Sequence, residues 1–425
     1  MKKKFFLSFF LLAFASQNVY AIDAPDQNIP TIPFNDLNVG NAFDFHGNAT
    51  FGYDYSFGFA KVENGKVLKD PTNNLVLDDR FRNYIYTQNV NLAMRMNVAK
   101  FLNLNLSGAL VSNGFNAEPL YNPDSYKEYA KFLDDRKKNI KNIWQRYAIL
   151  QDINIVVKDQ SIDGSLTVGQ QLVPFGYSSE YTMTPNVVTS SIITPMTEYI
   201  NYNVRGNLDT PYQNSSLTNL RDIGLALAGN YSTFKFVTAL YNGAGPNTLD
   251  NNNEKDIFAR VDYVLPGFAE AGVTHWRGRH IGYKTIYAEN PGRVEYEMSR
   301  TGLHAMLGNP NAYLMGEFIF SQDNWYDKSD VSQLGWYVEG TLKAPSIVSG
   351  TLRYESLYDN NILKNQAQTS NYTIRRFVVS STQSLANNIR FREEYVQSWE
   401  DYFSKAGDKA STTFGFVNVS LGYTF

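Results

Sequence analysis

Between Asn89 and Val98 the chain alternates without a break: Val90, Leu92, Met94, Met96 and Val98 are apolar, and Asn89, Asn91, Ala93, Arg95 and Asn97 between them are polar or small. A period of two puts the two sets on opposite faces of an extended strand. The pattern returns with Leu102, Leu104, Leu106 and Leu110 against Asn103, Asn105 and Ser107. It returns again with Phe45, Phe51, Tyr53 and Tyr55 against His46, Asn48, Thr50 and Asp54. Such segments lie near 43–56, 85–98, 102–111, 143–151, 164–173, 221–229, 234–241, 256–263, 269–277, 296–306, 313–320, 335–343, 349–356, 373–381, 389–396 and 413–425. They total sixteen, an even number, as a closed bacterial barrel with both ends on one side requires.

The connections between these segments alternate in length. Lys100-Phe101, Asn230 to Thr233, Val264 to Phe268 and Ala344 to Ile347 are short; Phe57 to Asn83, Ser112 to Asn142, Pro174 to Leu220, Asn242 to Lys255 and Gly278 to Glu295 are long. Outer-membrane barrels have short periplasmic turns and long extracellular loops, whereas a soluble β-sandwich has no reason to gather its long loops at one end. The expected fold is therefore all-β: a transmembrane antiparallel β-barrel of about 16 strands over residues 43–425. A hairpin hidden between Val187 and Ile200 would raise the number to 18.

Composition narrows the class further. Among 425 residues there is no Cys and there are only four His, which excludes disulfides, thiolate metal sites and cysteine nucleophiles. Lys+Arg 38 against Asp+Glu 41 argues against a nucleic-acid partner. Lys2, Lys3 and Lys4, the apolar run Phe5 to Ala15 and the small-residue exit Val19-Tyr20-Ala21 read as a signal peptide over residues 1–21, followed by a periplasmic N-terminal segment over 22–42. After residue 21 no run of apolar residues is long enough for a spanning helix, so an exported chain of this kind is either soluble outside the inner membrane or a closed barrel in an outer membrane. The strand pattern points to the barrel, in the outer membrane of a Gram-negative bacterium. Leu421, Tyr423 and Phe425 alternate up to an aromatic carboxy terminus, resembling the signal by which the barrel assembly machinery receives such chains.

From about residue 164 onward several motifs occur in order: Gly169-Gln170-Gln171, Val173-Pro174-Phe175-Gly176, Arg221-Asp222-Ile223-Gly224 with Leu225-Ala226-Leu227, Leu240-Tyr241-Asn242-Gly243, Asp256-Ile257-Phe258-Ala259-Arg260-Val261, Met315-Gly316-Glu317-Phe318 and Leu352-Arg353-Tyr354-Glu355. Together they resemble the phosphate-selective porin family (porin O and P type); the first 160 residues match only in pattern. The resemblance implies a homotrimeric sixteen-stranded barrel in which arginine and lysine side chains conduct anions, phosphate among them. In porins of this size the third long connection, here 174–220, folds inward as the constriction loop. This chain departs from the family there, because Arg205 is the loop's one cation against Glu180, Glu198 and Asp209. A phosphate site needs several converging donors to replace the water it strips.

Strand parity predicts the lining of the lumen. Charge facing lipid costs about 2–4 kcal/mol at the midplane, so Arg95, Arg146, Arg260, Arg300, Arg353, Arg390 and Arg392 are expected to face inward, with Arg277 at a rim. Asp54, Asp222, Asp262, Glu317, Glu339, Glu355 and Glu394 fall on the same faces. Near-equal numbers of both signs suit an arginine row facing an acidic row across the channel; the alternative is lateral pairing, as between Arg353 and Glu355 or Arg392 and Glu394. Arg375 and Arg376 are adjacent, and parity leaves them unassigned.

Other features have plainer readings. Asp250 to Glu254 lacks the glycine and spacing of a calcium loop and reads as a solvated tip. His46, His275, His280 and His304 show no catalytic spacing with a serine and an acid. Tyr126, Tyr129, Phe132 and Leu133 suggest a short amphipathic helix in the second long loop. The expectation is a water-filled channel for passive diffusion of small ions and hydrophilic solutes, anions preferred. It would be embedded in outer-membrane lipid and lipopolysaccharide, without cofactor, metal or catalytic residues. Two other readings stay open: a surface adhesin or receptor with a plugged lumen, and an outer-membrane hydrolase with a site among the loops.

Overall fold

The computed structural model describes residues 43–57, 62–63, 66–67, 84–99, 101–112, 146–159, 163–177, 191–193, 221–244, 254–283, 293–309, 311–325, 330–344, 348–363, 368–386, 388–403 and 409–424. Strand β1 (Phe43–Phe57) is followed by a small hairpin, β2 (Val62–Glu63) and β3 (Lys66–Val67), then by β4 (Tyr84–Ala99), β5 (Leu102–Ser112), β6 (Arg146–Asp159) and β7 (Gly164–Leu172). The middle of the chain forms β8 (Arg221–Tyr231), β9 (Phe234–Tyr241), β10 (Asp256–Leu265), β11 (Ala269–Tyr283) and β12 (Arg293–Asn309). The remainder forms β13 (Ala312–Trp325), β14 (Asp330–Lys343), β15 (Val348–Leu363), β16 (Gln368–Ala386), β17 (Ile389–Phe403) and β18 (Lys409–Thr424). All but β2 and β3 join one closed antiparallel barrel of sixteen strands, each paired with its sequence neighbours. The seam is closed by β1 against β18, with Phe51 opposite Leu421 and Tyr53 opposite Val419.

Alternation decides which side of each strand faces out. On β10, Ile257, Val261, Tyr263 and Leu265 are exposed, whereas Asp256, Phe258, Arg260 and Asp262 are buried. Val273, Leu303, Leu307, Leu314, Phe318, Phe320 and Leu352 continue the exposed apolar surface around the wall. So wide an apolar exterior is suited to hydrocarbon, and closure leaves no backbone edge to be satisfied there. At the short-turn ends the exposed side chains become aromatic: Phe101, Tyr231, Phe234, Tyr263, Phe268 and Tyr423. This is the girdle position, where an amphipathic ring meets the headgroups. Phe234 and Tyr263 pack across neighbouring strands in a tilted arrangement, ring centroids 5.3 Å apart and planes at 55°.

Each of the sixteen alternating segments is found as a barrel strand, but several are longer than their pattern. The segment read as 143–151 is β6, running to Asp159. The register shifts where Leu150 faces Gly108 and Asp152 faces Ser107, so Gln151 is an inserted residue. A bulge of this kind reverses the phase of alternation. Ala148 and Leu150 precede it at even positions, and Ile153, Ile155 and Val157 follow it, exposed, at odd ones. Strand β15 likewise runs past the apolar pattern through Asp359-Asn360-Asn361, paired with β14. Above the lipid both faces are wet, and alternation loses its cause. The outer connections 326–329, 364–367 and 404–408 are consequently short, and the long ones are confined to the first part of the chain.

The buried apolar core lies inside the barrel. Val173, Phe175, Tyr177, Ile192 and Ile193, all from the connection between β7 and β8, pack against Tyr241, Phe258, Trp276, Met298, Met315, Ile319, Tyr337, Leu357 and Ile374 of the inner wall. Burying a side chain such as Phe175 or Ile193 stabilises by roughly 1.5–3 kcal/mol. The residues 1–42, Arg205, Phe425, most of the possible hairpin at 187–200 and the helical pattern at 126–133 lie outside the described residues.

Candidate functional site

The wall and the inward segment meet first at Arg260. Past β7 the chain turns through Gly176, whose φ of +59° is one that L side chains rarely adopt; a Cβ there would collide with the Glu317 carboxylate. Arg260 donates to the carbonyls of Pro174 at 3.2 Å and Gly176 at 3.4 Å, and its Nε bonds both Asp262 oxygens at 3.0 and 2.8 Å. Tyr177 donates its hydroxyl to Glu270 at 3.1 Å and lies 4.5 Å, centroid to centroid, from the His304 ring. His304 Nε2 is in turn 2.6 Å from Asp262. Space for that pair exists because Gly272 has no side chain, since a Cβ there would overlap both groups. Lys235 completes the cluster with an ion pair to Glu270 at 3.3 Å.

Asp262, Glu270 and His304 bring ligand atoms within 4.8 Å of one another and are the described residues that could surround a metal ion. Arg260 and Lys235 already balance the two carboxylates, so the cluster is a closed ion network rather than an open coordination sphere. Beside it Phe175 contacts Trp276, with centroids 6.4 Å apart. Trp276 donates to Asp256 at 2.9 Å and carries Arg300 over its face, 5.4 Å from the ring centre. A guanidinium stacked on an indole gains cation–π attraction as well as cover from water.

The same connection returns to the wall at Glu355. Ser191 donates its hydroxyl to Glu355 at 2.5 Å, and the Ile192 N–H donates to the same oxygen at 3.2 Å. Arg353 lies 3.3 Å from Glu355 and 3.7 Å from Glu339, and Arg376 lies 3.4 Å from Glu355 while donating to Ser398 at 3.1 Å. The described parts of the segment thus touch β10 through β13 at 173–177 and β15 at 191–193, both on the inside of the barrel. Its return strand is clamped by Arg221, which binds Asp152 through two nitrogens at 2.9 and 3.3 Å; Ser107 donates to that carboxylate at 2.5 Å.

Of the arginines expected inside, Arg260, Arg300, Arg353 and Arg392 are buried on the inner face, and Arg95 and Arg390 lie there partly exposed. Arg146 opens β6 opposite Ser112, its side chain outside the described set, as is Arg205. Glu317, Glu339, Glu355 and Glu394 are buried on the same face. Arg376 is also inner and buried, whereas Arg375 faces out and pairs with Asp401 at 2.5 Å. Arg277 is on the outer face near the long-loop end of β11. Leu421 and Tyr423 are exposed on the outer face of β18. The expectation of facing charge rows needs correction for Arg353, Glu355 and Glu339: they pair laterally, because a buried charge has to be neutralised by its nearest neighbour.

Sequence reasoning missed Asp152, Tyr177, Ser191, Lys235 and Glu270, whose roles arise from where the connection lands. It also missed a grouping of cations. Lys158, Lys235, Lys343 and Arg390 all occupy inner-face positions close to the short turns, with Arg95 somewhat higher. A tally of charge at strand ends next to short turns could have found them.

A sixteen-stranded barrel with an apolar exterior and with parts of one connection held against its inner wall has the architecture of the outer-membrane porins. Solved structures with this fold include the outer-membrane protein OmpT of Vibrio cholerae in a trimer form (TM-score 0.54, 11% identity, 90% of this chain and 99% of that one). They also include an anion-selective porin from Comamonas acidovorans (0.52, 10%, 90% and 99%) and the outer-membrane channel DcaP of Acinetobacter baumannii (0.50, 10%, 90% and 97%). At such identities the likeness is one of fold. No family model matches the chain, and none of the curated proteins compared with it does.

Proposed function

We propose that this chain is an outer-membrane porin of a Gram-negative bacterium, exported by its first 21 residues and received by the barrel assembly machinery through its last strand. It assembles as a homotrimer and lets small hydrophilic solutes diffuse passively, anions in preference to cations, with no bond made or broken. Segment 174–220 is its constriction, supported by the two places where described parts of it are held to the inner wall. The trimer is supported by the family resemblance and by the trimer form of a protein with this fold.

One observation carries the anion preference. The inner-face carboxylates with described side chains are buried, except Asp152 and Glu270, which are ion-paired with Arg221 and Lys235. Arg95, Lys158, Lys343 and Arg390, by contrast, keep partial or full exposure on that face. Among the described inner-wall side chains, those that water reaches therefore carry net positive charge, and low-dielectric walls focus its field. The anion selectivity named for the Comamonas acidovorans porin agrees with this reading.

Planar-bilayer recording tests it. The purified protein should give stepwise conductance and a reversal potential in a salt gradient of the sign expected for anion preference. Replacing Lys158, Lys343 and Arg390 together with Gln should move that potential toward the cation side; no movement would remove the cation group from the filter. Phosphate competition of the chloride current separates a phosphate-preferring channel from a general anion channel. A folded barrel that stays silent in the bilayer would favour the adhesin reading.

A further inference from the structure

The outer face of β10–β12 changes character over a few residues. Val261, Val273 and Leu303 form one cross-strand row, fully apolar and exposed. Two residues closer to the long loops the row is Ala259, His275 and Thr301, and two further it is Ile257, Arg277 and Ser299. Arg277 thus stands four residues above Val273, about 13 Å along the strand. It is 67% exposed, and its ion pair with Glu297 is long, 3.9 Å. Glu297 is shared with Arg279, at 3.6 Å, which also pairs with Glu254. Below Arg277, His275 Nδ1 lies 3.0 Å from the Thr301 hydroxyl, so a ring nitrogen and a hydroxyl are held side by side on the outer surface.

We infer that this patch binds a phosphate of an outer-leaflet glycolipid, with Arg277 supplying the charge and His275, Thr301 and Ser299 the flanking polar groups. The inference rests on the outer-membrane placement proposed above. Three features favour a lipid phosphate over a free one. The patch is on the exterior, away from the lumen. It sits directly above apolar rows that acyl chains would cover. Its end of β11 leads to a long connection, the outer-leaflet side in that placement. A guanidinium at headgroup height attracts anionic lipid, and a fork of N–H donors matches phosphate geometry. Ala259 is small, which leaves the approach to His275 open from the β10 side.

The test uses detergent-purified full-length protein titrated with bisphosphorylated lipid A, bound lipid being counted by native mass spectrometry. Arg277→Gln should weaken binding roughly tenfold, the effect of one lost charge-assisted hydrogen bond, and Arg277→Lys should retain part of it. Lipid A stripped of phosphate should bind wild type and Arg277→Gln alike, and more weakly than the phosphorylated form binds wild type. Equal affinity of Arg277→Gln and wild type for bisphosphorylated lipid A would overturn the inference. So would displacement of the lipid by inorganic phosphate at equal concentration, which would mark a general anion site. His275→Ala combined with Thr301→Val provides a second variant should Arg277→Gln not fold, with the same expected weakening. Bilayer conductance of Arg277→Gln should equal that of wild type, since Arg277 is outside the lumen. Loss of conductance in the wild type with lipid binding intact would defeat the channel reading and leave this one standing.

Discussion

Glu355 is a single residue on which two parts of the molecule depend. It holds Ser191 and Ile192 of the inward segment and sits between Arg353 and Arg376. Glu355→Gln should destabilise the barrel by about 3–5 kcal/mol, because two buried guanidinium groups lose their shared counter-charge. Ser191→Ala removes only a hydrogen bond to that carboxylate and should cost about 1.5–3 kcal/mol, with a noisier open-channel current as the segment loosens. Urea unfolding followed by the heat-modifiable gel shift ranks the two, and a smaller loss for Glu355→Gln would mean the arginines find other acids. The inward position of Glu355 was legible from parity on β15. Its bond to Ser191 was not, because the residues are 164 apart and nothing local encodes where a long connection comes to rest. The lateral pairing of Arg353 with Glu355 stood among the alternatives, and burial decided in its favour.

At the scale of the strand, alternation was readable wherever one face meets lipid and the other does not. That is why all sixteen segments could be placed, and why the stretches that escaped are those where this condition fails. Gln151 interrupts β6 and reverses its phase, hiding Ile153 to Asp159. Asp359 to Asn361 continue β15 above the lipid, where no apolar residue is needed. The lipid-facing assignment can be tested on β10. Val261→Arg should cost about 2–4 kcal/mol if the site is near the midplane and should lower the fraction folded into lipid vesicles. Val261→Leu should fold as wild type. Equal folding of the two variants would mean that Val261 faces something other than hydrocarbon.

Viewed whole, the molecule keeps its described apolar core inside the barrel, because Val173, Phe175, Tyr177, Ile192 and Ile193 of the connection after β7 pack against the inner wall. Closure could be anticipated from the even number of strands and the clustering of long connections. The extent of filling could not, since it depends on the fit of Phe175, Ile192 and Ile193 to side chains from many strands. Removing β18 by truncation after Phe403 should abolish insertion into vesicles, because β17 and β1 would each present unpaired N–H and C=O groups at several kcal/mol apiece in hydrocarbon. A truncated chain that still inserted and conducted would show that the barrel can close with one strand fewer. The pairing of β1 with β18 also has a temporal side: the earliest barrel strand to leave the ribosome waits for the latest before its second neighbour exists. Something must shelter that waiting strand from sticking to other chains, and no partial product along the way is fit to reside in a bilayer.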